Sequence, residues 1–168
     1  MHDPRAKIIR DHGKLARKIN GLKAAGKKIA FTNGGFDILH AGHVRSLRGA
    51  ASRADVLVVA VNSDASIRKN KGPHLPVNPL EERMEVLAAL ESVDFVTCFD
   101  EPTVDGLLLK LKPHFHAKGT DYTKKTVPER RTVLSYGGKI LITGDPKNHS
   151  STRLMEKIAE IHAAKKRK

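Results

Sequence analysis

One segment constrains the fold more than any other: DVLVVAV, residues 55–61, is a near-continuous apolar run rich in β-branched residues. Such a run is typical of a strand buried on both faces, as occurs in parallel sheets covered by helices. Segments with helical spacing alternate along the chain with this run and with shorter apolar runs. We therefore expect an α/β fold, with a parallel sheet of about five strands and helices on both faces.

The expected elements follow from apolar periodicity and turn residues. Strands are predicted at residues 29–32, 55–61, 93–99, 114–117 and 140–143. Helices are predicted at residues 8–22, 40–54, 80–90 and 104–111, with a final helix capped by Ser150 or Ser151 and ending near residue 164. Residues 62–79 are predicted to form a long irregular loop, because they are polar and contain three prolines. We expect one domain over residues 1–168, with a basic N-terminal helix in residues 1–28 and a basic tail at 163–168.

The composition excludes several protein classes. With 39% hydrophobic and 29% charged residues, the chain is typical of a soluble globular protein. No apolar run approaches the roughly 20 residues of a membrane-spanning helix, and residues 1–28 contain no signal-peptide core. A cytoplasmic location is the expectation. The single cysteine, Cys98, excludes an internal disulfide framework and a cysteine-built zinc site.

The charge of +13 invites a nucleic-acid interpretation, but its distribution does not favour one. Residues 1–28 hold nine basic and two acidic residues, a net of +7, and residues 157–168 hold five and one, a net of +4. The middle of the chain, with 17 basic and 15 acidic residues, carries only +2. The excess charge is therefore predicted to lie on solvated ends rather than in a groove of the folded body.

The densest group of chemically useful residues is FTNGGFDILHAGHV, residues 31–44, where the first strand leads into a helix. In open α/β sheets ligands bind at this position, against helix N–H groups that favour anions. His40 and His43 are three residues apart, so they point to the same side of the helix start, and Gly42 lets a phosphate approach the backbone. These are the groups a site needs to stabilise a phosphate during transfer. Metal binding is the competing interpretation, but no third ligand is obvious beyond Asp37, and we predict no protein-built metal site.

This segment resembles the HxGH signature of the nucleotidyltransferase superfamily, which includes cytidylyltransferases and pantetheine-phosphate adenylyltransferase. The collinear set FTNGGFDILHAGHV, VAVNSDAS, PVNPLEERMEVLAALESVD, KGTDY, YGGKI and SST is similar to the D-glycero-β-D-manno-heptose 1-phosphate adenylyltransferase branch. The likeness covers roughly residues 25–160. It implies a Rossmann-like fold, transfer of AMP from ATP to a sugar 1-phosphate, and Mg²⁺ bound mainly with the triphosphate.

The resemblance also implies roles for matching residues. His40 and His43 would stabilise the transition state, and a loop lysine, Lys71 or Lys69, would contact phosphate. Asp64 and Arg83 would face the acceptor. The nucleotide and its phosphates would contact Thr32, Asn33, Gly34, Phe36, Asp37, Gly42, Lys118, Gly119, Asp121, Ser150, Ser151 and Thr152.

Several assignments have plainer alternatives. Lys69 and Lys71 can be solvated charges, Arg83 can pair with a glutamate of its own helix, Asp64 can be a turn residue, and SST can serve only as an N-cap. The rival activity within the superfamily is a CTP-dependent enzyme such as glycerol-3-phosphate cytidylyltransferase. The rival from another class is a basic nucleic-acid-binding module. The family likeness also implies a homodimer and, since no sugar-kinase segment precedes this domain, a heptose kinase on a separate polypeptide.

Overall fold

The computed structural model describes residues 3–145 and 150–165. Its five strands are β1 Ile29–Gly34, β2 Val56–Asn62, β3 Phe95–Phe99, β4 Phe115–Gly119 and β5 Lys139–Thr143. Its α-helices are α1 His12–Ala24, α2 Ala41–Ala51, α3 Asp64–Lys71, α4 Leu80–Ala88, α5 Asp105–Leu111, α6 Arg130–Ser135 and α7 Ser151–Lys165. A short 3₁₀ helix, Pro4–Lys7, precedes them.

The five strands form one sheet in the order β3-β2-β1-β4-β5, and every neighbouring pair is parallel. The chain therefore builds one half of the sheet outward from β1 to β3, then crosses back to add β4 on the other side of β1. This reversal between β1 and β4 leaves a crevice at the carboxyl ends of the strands, where ligands bind in such sheets. The predicted α/β, Rossmann-like fold of five strands is confirmed.

Two apolar cores, one on each face of the sheet, account for its stability. Alternate residues of the strands point to opposite faces, so Phe31 and Val58 enter one core and Ala30 and Val59 enter the other. Helices α1 and α5 cover the first core, and α2 and α4 cover the second. This burial explains why the central strands are apolar at consecutive positions.

The prediction of an irregular loop over residues 62–79 is wrong in its first half, because α3 occupies Asp64–Lys71. The Ser63 hydroxyl caps this helix by accepting a hydrogen bond from the Ser66 amide at 3.2 Å. Within α3 only Ser66 and Ile67 are buried. The remaining residues are polar, so the helix lacks the apolar stripe on which a sequence prediction depends.

The chain ends also differ in detail from the prediction. The basic segment 1–28 contains the 3₁₀ helix, a bridge from Ile8 to Val96, and then α1, rather than one helix. The six-residue helix α6 was not predicted, because it buries only Val133. At the other end Ser150 caps α7 by accepting from the Arg153 amide at 3.1 Å, as expected. Helix α7 includes residues 163–165, which were predicted as the start of the basic tail. Residues 166–168 lie outside the described part of the chain.

In residues 3–145 and 150–165 no helix has the length and apolar character needed to cross a membrane.

Candidate active site

A cavity of about 340 Å³ opens at the carboxyl ends of β1, β4 and β5, beside the first turn of α2. The parallel sheet brings these strand ends to one edge, and the reversal of strand order leaves room between them. Its lining residues include thirteen of those predicted from sequence: Thr32, Asn33, Gly34, Phe36, His40, Gly42, His43, Lys71, Gly119, Asp121, Ser150, Ser151 and Thr152. The structure thus brings most of the predicted site together.

The two histidines of the HAGH segment form one stacked unit on the cavity wall. His40 is the N-cap residue of α2, with extended backbone angles, and His43 lies in the first turn. Their ring centroids are 3.9 Å apart and the ring planes differ by 23°. Both imidazoles therefore face the same small region, close to the amide groups that begin α2.

The turn before α2 is held in an unusual conformation that supports this pair. Phe36 adopts φ 48°, a left-handed angle that few non-glycine residues take. Its ring meets the His43 ring edge-on, with centroids 5.3 Å apart. A Cβ atom on Gly34 would lie 3.1 Å from the Phe36 ring, so the close approach of ring and strand favours glycine there.

Burial, together with electrostatic repulsion from His40 and Lys71, lowers the pKa of His43 to about 4. His43 is therefore neutral at neutral pH in the free protein. Its Nδ1 atom is buried and has no hydrogen-bond partner within the described ranges. The same electrostatic surroundings would attract an anion. A bound anion would in turn raise the pKa of His43 again.

A second helix begins at the same cavity. Ser150, Ser151 and Thr152, at the start of α7, place hydroxyl groups and helix-end amides on its wall. The Ser151 hydroxyl donates to the carbonyl oxygen of Ile38 at 3.0 Å, which ties α7 to the turn before α2. Two helix N-termini therefore converge on one cavity, and each favours negative charge.

The position of α3 distinguishes Lys71 from Lys69, between which the sequence did not decide. Lys71 ends this helix and lines the cavity, whereas Lys69 does not. Residues two positions apart lie on nearly opposite sides of an α-helix, so Lys69 and Lys71 have different surroundings. Lys71 is the lysine placed to contact a bound anion.

Arg83 and Asp64 were expected to face the acceptor, but neither lines the cavity. The Arg83 side chain is fully buried, and its guanidinium donates to the carbonyls of Asn78 at 3.0 Å, Gly35 at 2.5 Å and Asn62 at 2.9 Å. Its remaining nitrogen donates to the Asp64 carboxylate at 2.7 Å. Every arm of the guanidinium is occupied by protein, so Arg83 joins three segments beneath the cavity. It does not pair with a glutamate of its own helix either.

Asp37 also lies outside the cavity lining. Its carboxylate accepts from the amides of Val77 at 2.9 Å and Asn78 at 2.8 Å. The side chain therefore holds the loop before α4 against the turn before α2. The Asp37 carboxylate thus serves backbone hydrogen bonds in this structure. Within the described segments no group of three or more His, Cys, Asp or Glu residues is placed to hold a metal ion.

Lys118 lies behind the cavity wall and is not one of the residues that line the cavity. Its ammonium donates to Asn33 Oδ1, and Asn33 does line the cavity. Sequence reasoning placed Lys118 beside the nucleotide but did not identify this partner.

Six further lining residues were not predicted: Gly35, Ser46, Leu47, Thr120, Thr143 and Asp145. Two of them carry signals that sequence analysis could have used. Ser46 lies one helical turn after His43, and Thr143 ends the predicted fifth strand. The Ser46 and Thr143 hydroxyls are 3.0 Å apart, which joins α2 to β5.

The family model of cytidylyltransferase-like proteins matches residues 31–157, a span that contains the whole cavity lining. The chain belongs to the cytidylyltransferase-like family. The predicted class of activity, nucleotidyl transfer, is confirmed by this membership.

Curated relatives resemble the chain closely over part of their length. The bifunctional protein HldE of Pelobacter propionicus is 44% identical over 155 residues, which is 92% of this chain and 32% of that protein. The bifunctional protein HldE of Hahella chejuensis is 49% identical over 140 residues, 83% of this chain and 29% of that protein. This chain thus spans about a third of the length of these relatives.

Two solved structures share the fold. The lipopolysaccharide core biosynthesis protein from Thermoplasma volcanium has a TM-score of 0.64 and 25% identity, covering 73% of this chain and 100% of that one. The pantoate-β-alanine ligase from Francisella tularensis has a TM-score of 0.60 and 18% identity, covering 86% of this chain and 68% of that one.

Proposed function

We propose that this chain transfers AMP from ATP to a sugar 1-phosphate, D-glycero-β-D-manno-heptose 1-phosphate, and releases pyrophosphate. The observation that carries the reaction class is the stacked pair His40 and His43 at the start of α2, on the wall of a cavity that two helix N-termini enter. The motif set of the heptose branch supports the acceptor, as do the HldE relatives.

In the proposed reaction an oxygen of the sugar phosphate attacks the α-phosphorus of ATP. One P–O bond forms there, and the bond between the α-phosphorus and the bridging oxygen of the β-phosphate breaks. The nucleophile is already an anion, so the site needs no general base, and catalysis consists of positioning and charge stabilisation. His40, His43 and the first amides of α2 would stabilise the α-phosphoryl group, while Lys71 and the start of α7 would hold the other phosphates.

Mg²⁺ would enter this site with the triphosphate. The donor set fits a cation held by phosphate oxygens and water, since the described residues offer no cluster of three metal-binding side chains. Of the cavity carboxylates, Asp145 already pairs with Arg45 at 2.5 Å. The ion would supply neutralisation of the charge on the departing pyrophosphate.

The remaining expectations follow from the resemblance. The HldE relatives are bifunctional and about three times as long as this chain, which supports a heptose kinase acting before this reaction. The homodimer, the cytoplasmic location and the absence of a nucleic-acid partner stay predictions.

The test is pyrophosphate release with Mg²⁺, with ATP, CTP and GTP each offered together with the heptose 1-phosphate or with glycerol 3-phosphate. We expect release only with ATP and the heptose phosphate. His43→Ala should lower turnover by two orders of magnitude or more, and nucleotide affinity should change less, because a contact that strengthens in the transition state is lost.

Other outcomes would redirect the proposal. Release only with CTP and glycerol 3-phosphate would keep the mechanism and overturn both substrates. Unchanged turnover in His43→Ala would overturn the role of the histidine pair. Salt-sensitive binding to nucleic acid that depends on residues 157–168, with no pyrophosphate release, would favour the binding-module alternative.

A further inference from the structure

A buried ion pair lies directly behind the cavity wall. Lys118, at the carboxyl end of β4, is 8% exposed, and Glu129, the residue before α6, is 5% exposed. The ammonium lies 3.1 Å from Glu129 Oε1 and 3.1 Å from Asn33 Oδ1. The three residues thus form a chain of contacts that ends at the cavity lining, and none of the roles above uses Glu129.

Glu129 is ionised at neutral pH although it is buried. Burial acts to raise the pKa of its carboxyl group, but the neighbouring His116 ring and the charge of Lys118 outweigh burial and lower the pKa to about 2. A buried ammonium with no counter-charge would be costly, so the Glu129 carboxylate stabilises the Lys118 side chain in this position. The Tyr122 ring, whose centroid is 5.2 Å from Nζ, covers another side of the ammonium.

The pair fixes which way the Asn33 amide faces. An ammonium only donates, so it selects the oxygen of the amide and directs Nδ2 away from itself. Asn33 lines the cavity, so its Nδ2 group is left to donate to an occupant. A nucleoside triphosphate carries many acceptor oxygens and would match such a donor.

We propose that Glu129 is a positioning residue for the nucleotide: it holds Lys118, which orients the Asn33 amide as a donor into the cavity. This inference rests on the proposed function, because it assumes that a nucleotide occupies the cavity. Glu129 itself does not touch the ligand. Its effect should appear in nucleotide affinity, with turnover of the bound nucleotide changed less.

The experiment compares the variants Glu129→Gln and His116→Gln. Calorimetry measures the affinity for a non-hydrolysable ATP analogue in the presence of Mg²⁺, and steady-state kinetics measure kcat and the KM for ATP. His116 Nε2 lies 3.4 Å from the other oxygen of Glu129, is fully buried, and takes no part in the contact with Asn33. We expect Glu129→Gln to weaken binding and raise KM about tenfold, with kcat changed less. His116→Gln should disturb the same buried region and weaken nucleotide binding much less than Glu129→Gln does, because the contact between Lys118 and Asn33 remains.

A second variant separates positioning from stability. Lys118→Met combined with Glu129→Gln removes both buried charges, so the thermal midpoint should recover relative to Glu129→Gln alone. If Glu129 acts through Lys118, nucleotide binding stays weak in this double variant, since no ammonium orients Asn33. If binding recovers together with stability, the role is structural and the inference is wrong.

The remaining outcomes are equally decisive. Equal affinity of Glu129→Gln and the unaltered protein would overturn this inference and leave the proposed function intact. Failure of the unaltered protein to bind any nucleotide would overturn both.

Discussion

Two helices that border the cavity, α3 and α7, are anchored in contrasting ways. Helix α3, which carries Lys71, buries Ser66 and Ile67 and begins at Asp64, the carboxylate partner of Arg83. Helix α7 is nearly twice as long, with 15 residues against 8, yet it buries none of them. Leu154, Ile158 and Ile161 remain exposed along it.

This contrast indicates that the α3 wall of the cavity is preformed, whereas the α7 wall depends on a bound ligand for its stability. The α3 side is held by buried hydrogen bonds whether or not a nucleotide is present. The α7 side has a capped N-terminus aimed at the cavity and few apolar contacts, so its local stability is expected to be low. A bound triphosphate would add charge-assisted hydrogen bonds at that N-terminus.

The largest expected difference between the two walls concerns their arginines. Arg83→Met should lower the free energy of unfolding by about 3–5 kcal/mol, because it leaves Asp64 and three carbonyl groups without their buried partner. Arg153→Met, on an exposed position of α7, should change it by less than about 0.5 kcal/mol. Urea denaturation of both variants measures this directly. Equal losses would show that Arg83 does not anchor the α3 side.

The pH dependence of stability tests how firmly the preformed wall encloses His43. The pKa of His43 is about 4 in the folded protein and ordinarily about 6.5, so between these values the unfolded chain binds the extra proton. Stability should therefore fall as the pH drops from about 6.5 to about 4, by up to about 3 kcal/mol from this residue. Urea denaturation across this range should show a smaller fall for His43→Gln. Parallel curves would mean that His43 is solvated.

A smaller effect is expected from the lysine that α3 presents. Lys71→Ala should raise the KM for the triphosphate about tenfold, because one charge-assisted contact is lost. Lys69→Ala, two residues earlier on the same helix and outside the cavity lining, should leave KM unchanged. If the effects are reversed, α3 turns its other face to the nucleotide.

The same contrast explains which parts of the structure can be predicted from the sequence. The central strands and the HAGH turn were predictable because their signals are local: a run of apolar residues, and histidines spaced by one helical turn. The choice between Lys69 and Lys71 was not, because it depends on α3, a helix with too few buried residues to be recognised. The partners of Arg83 lie up to 48 positions away in the sequence, and a single chain contains no signal for such contacts.

Glu129 was missed for the same reason. It precedes a helix of six residues, and its contact with Lys118 spans 11 positions. Arg83 and Lys118 were both assigned direct contact with substrate, whereas the structure places each one beneath a residue or loop that borders the cavity. Sequence motifs therefore identified residues that gather around the site, but they did not distinguish those that line the cavity from the few that lie behind it.

The smallest expected effect compares the serines that cap the two helices. Ser63→Ala removes the cap of α3 and should lower the free energy of unfolding by about 1 kcal/mol, because α3 is packed into the folded body. Ser150→Ala removes the cap of α7 and should leave that free energy unchanged within about 0.5 kcal/mol, because α7 has no buried residue to lose. Affinity for the triphosphate should instead fall in Ser150→Ala, since the same hydroxyl lines the cavity. Urea denaturation and nucleotide titration of both variants measure the two quantities, and a global loss of stability in Ser150→Ala would show that α7 is as firmly anchored as α3.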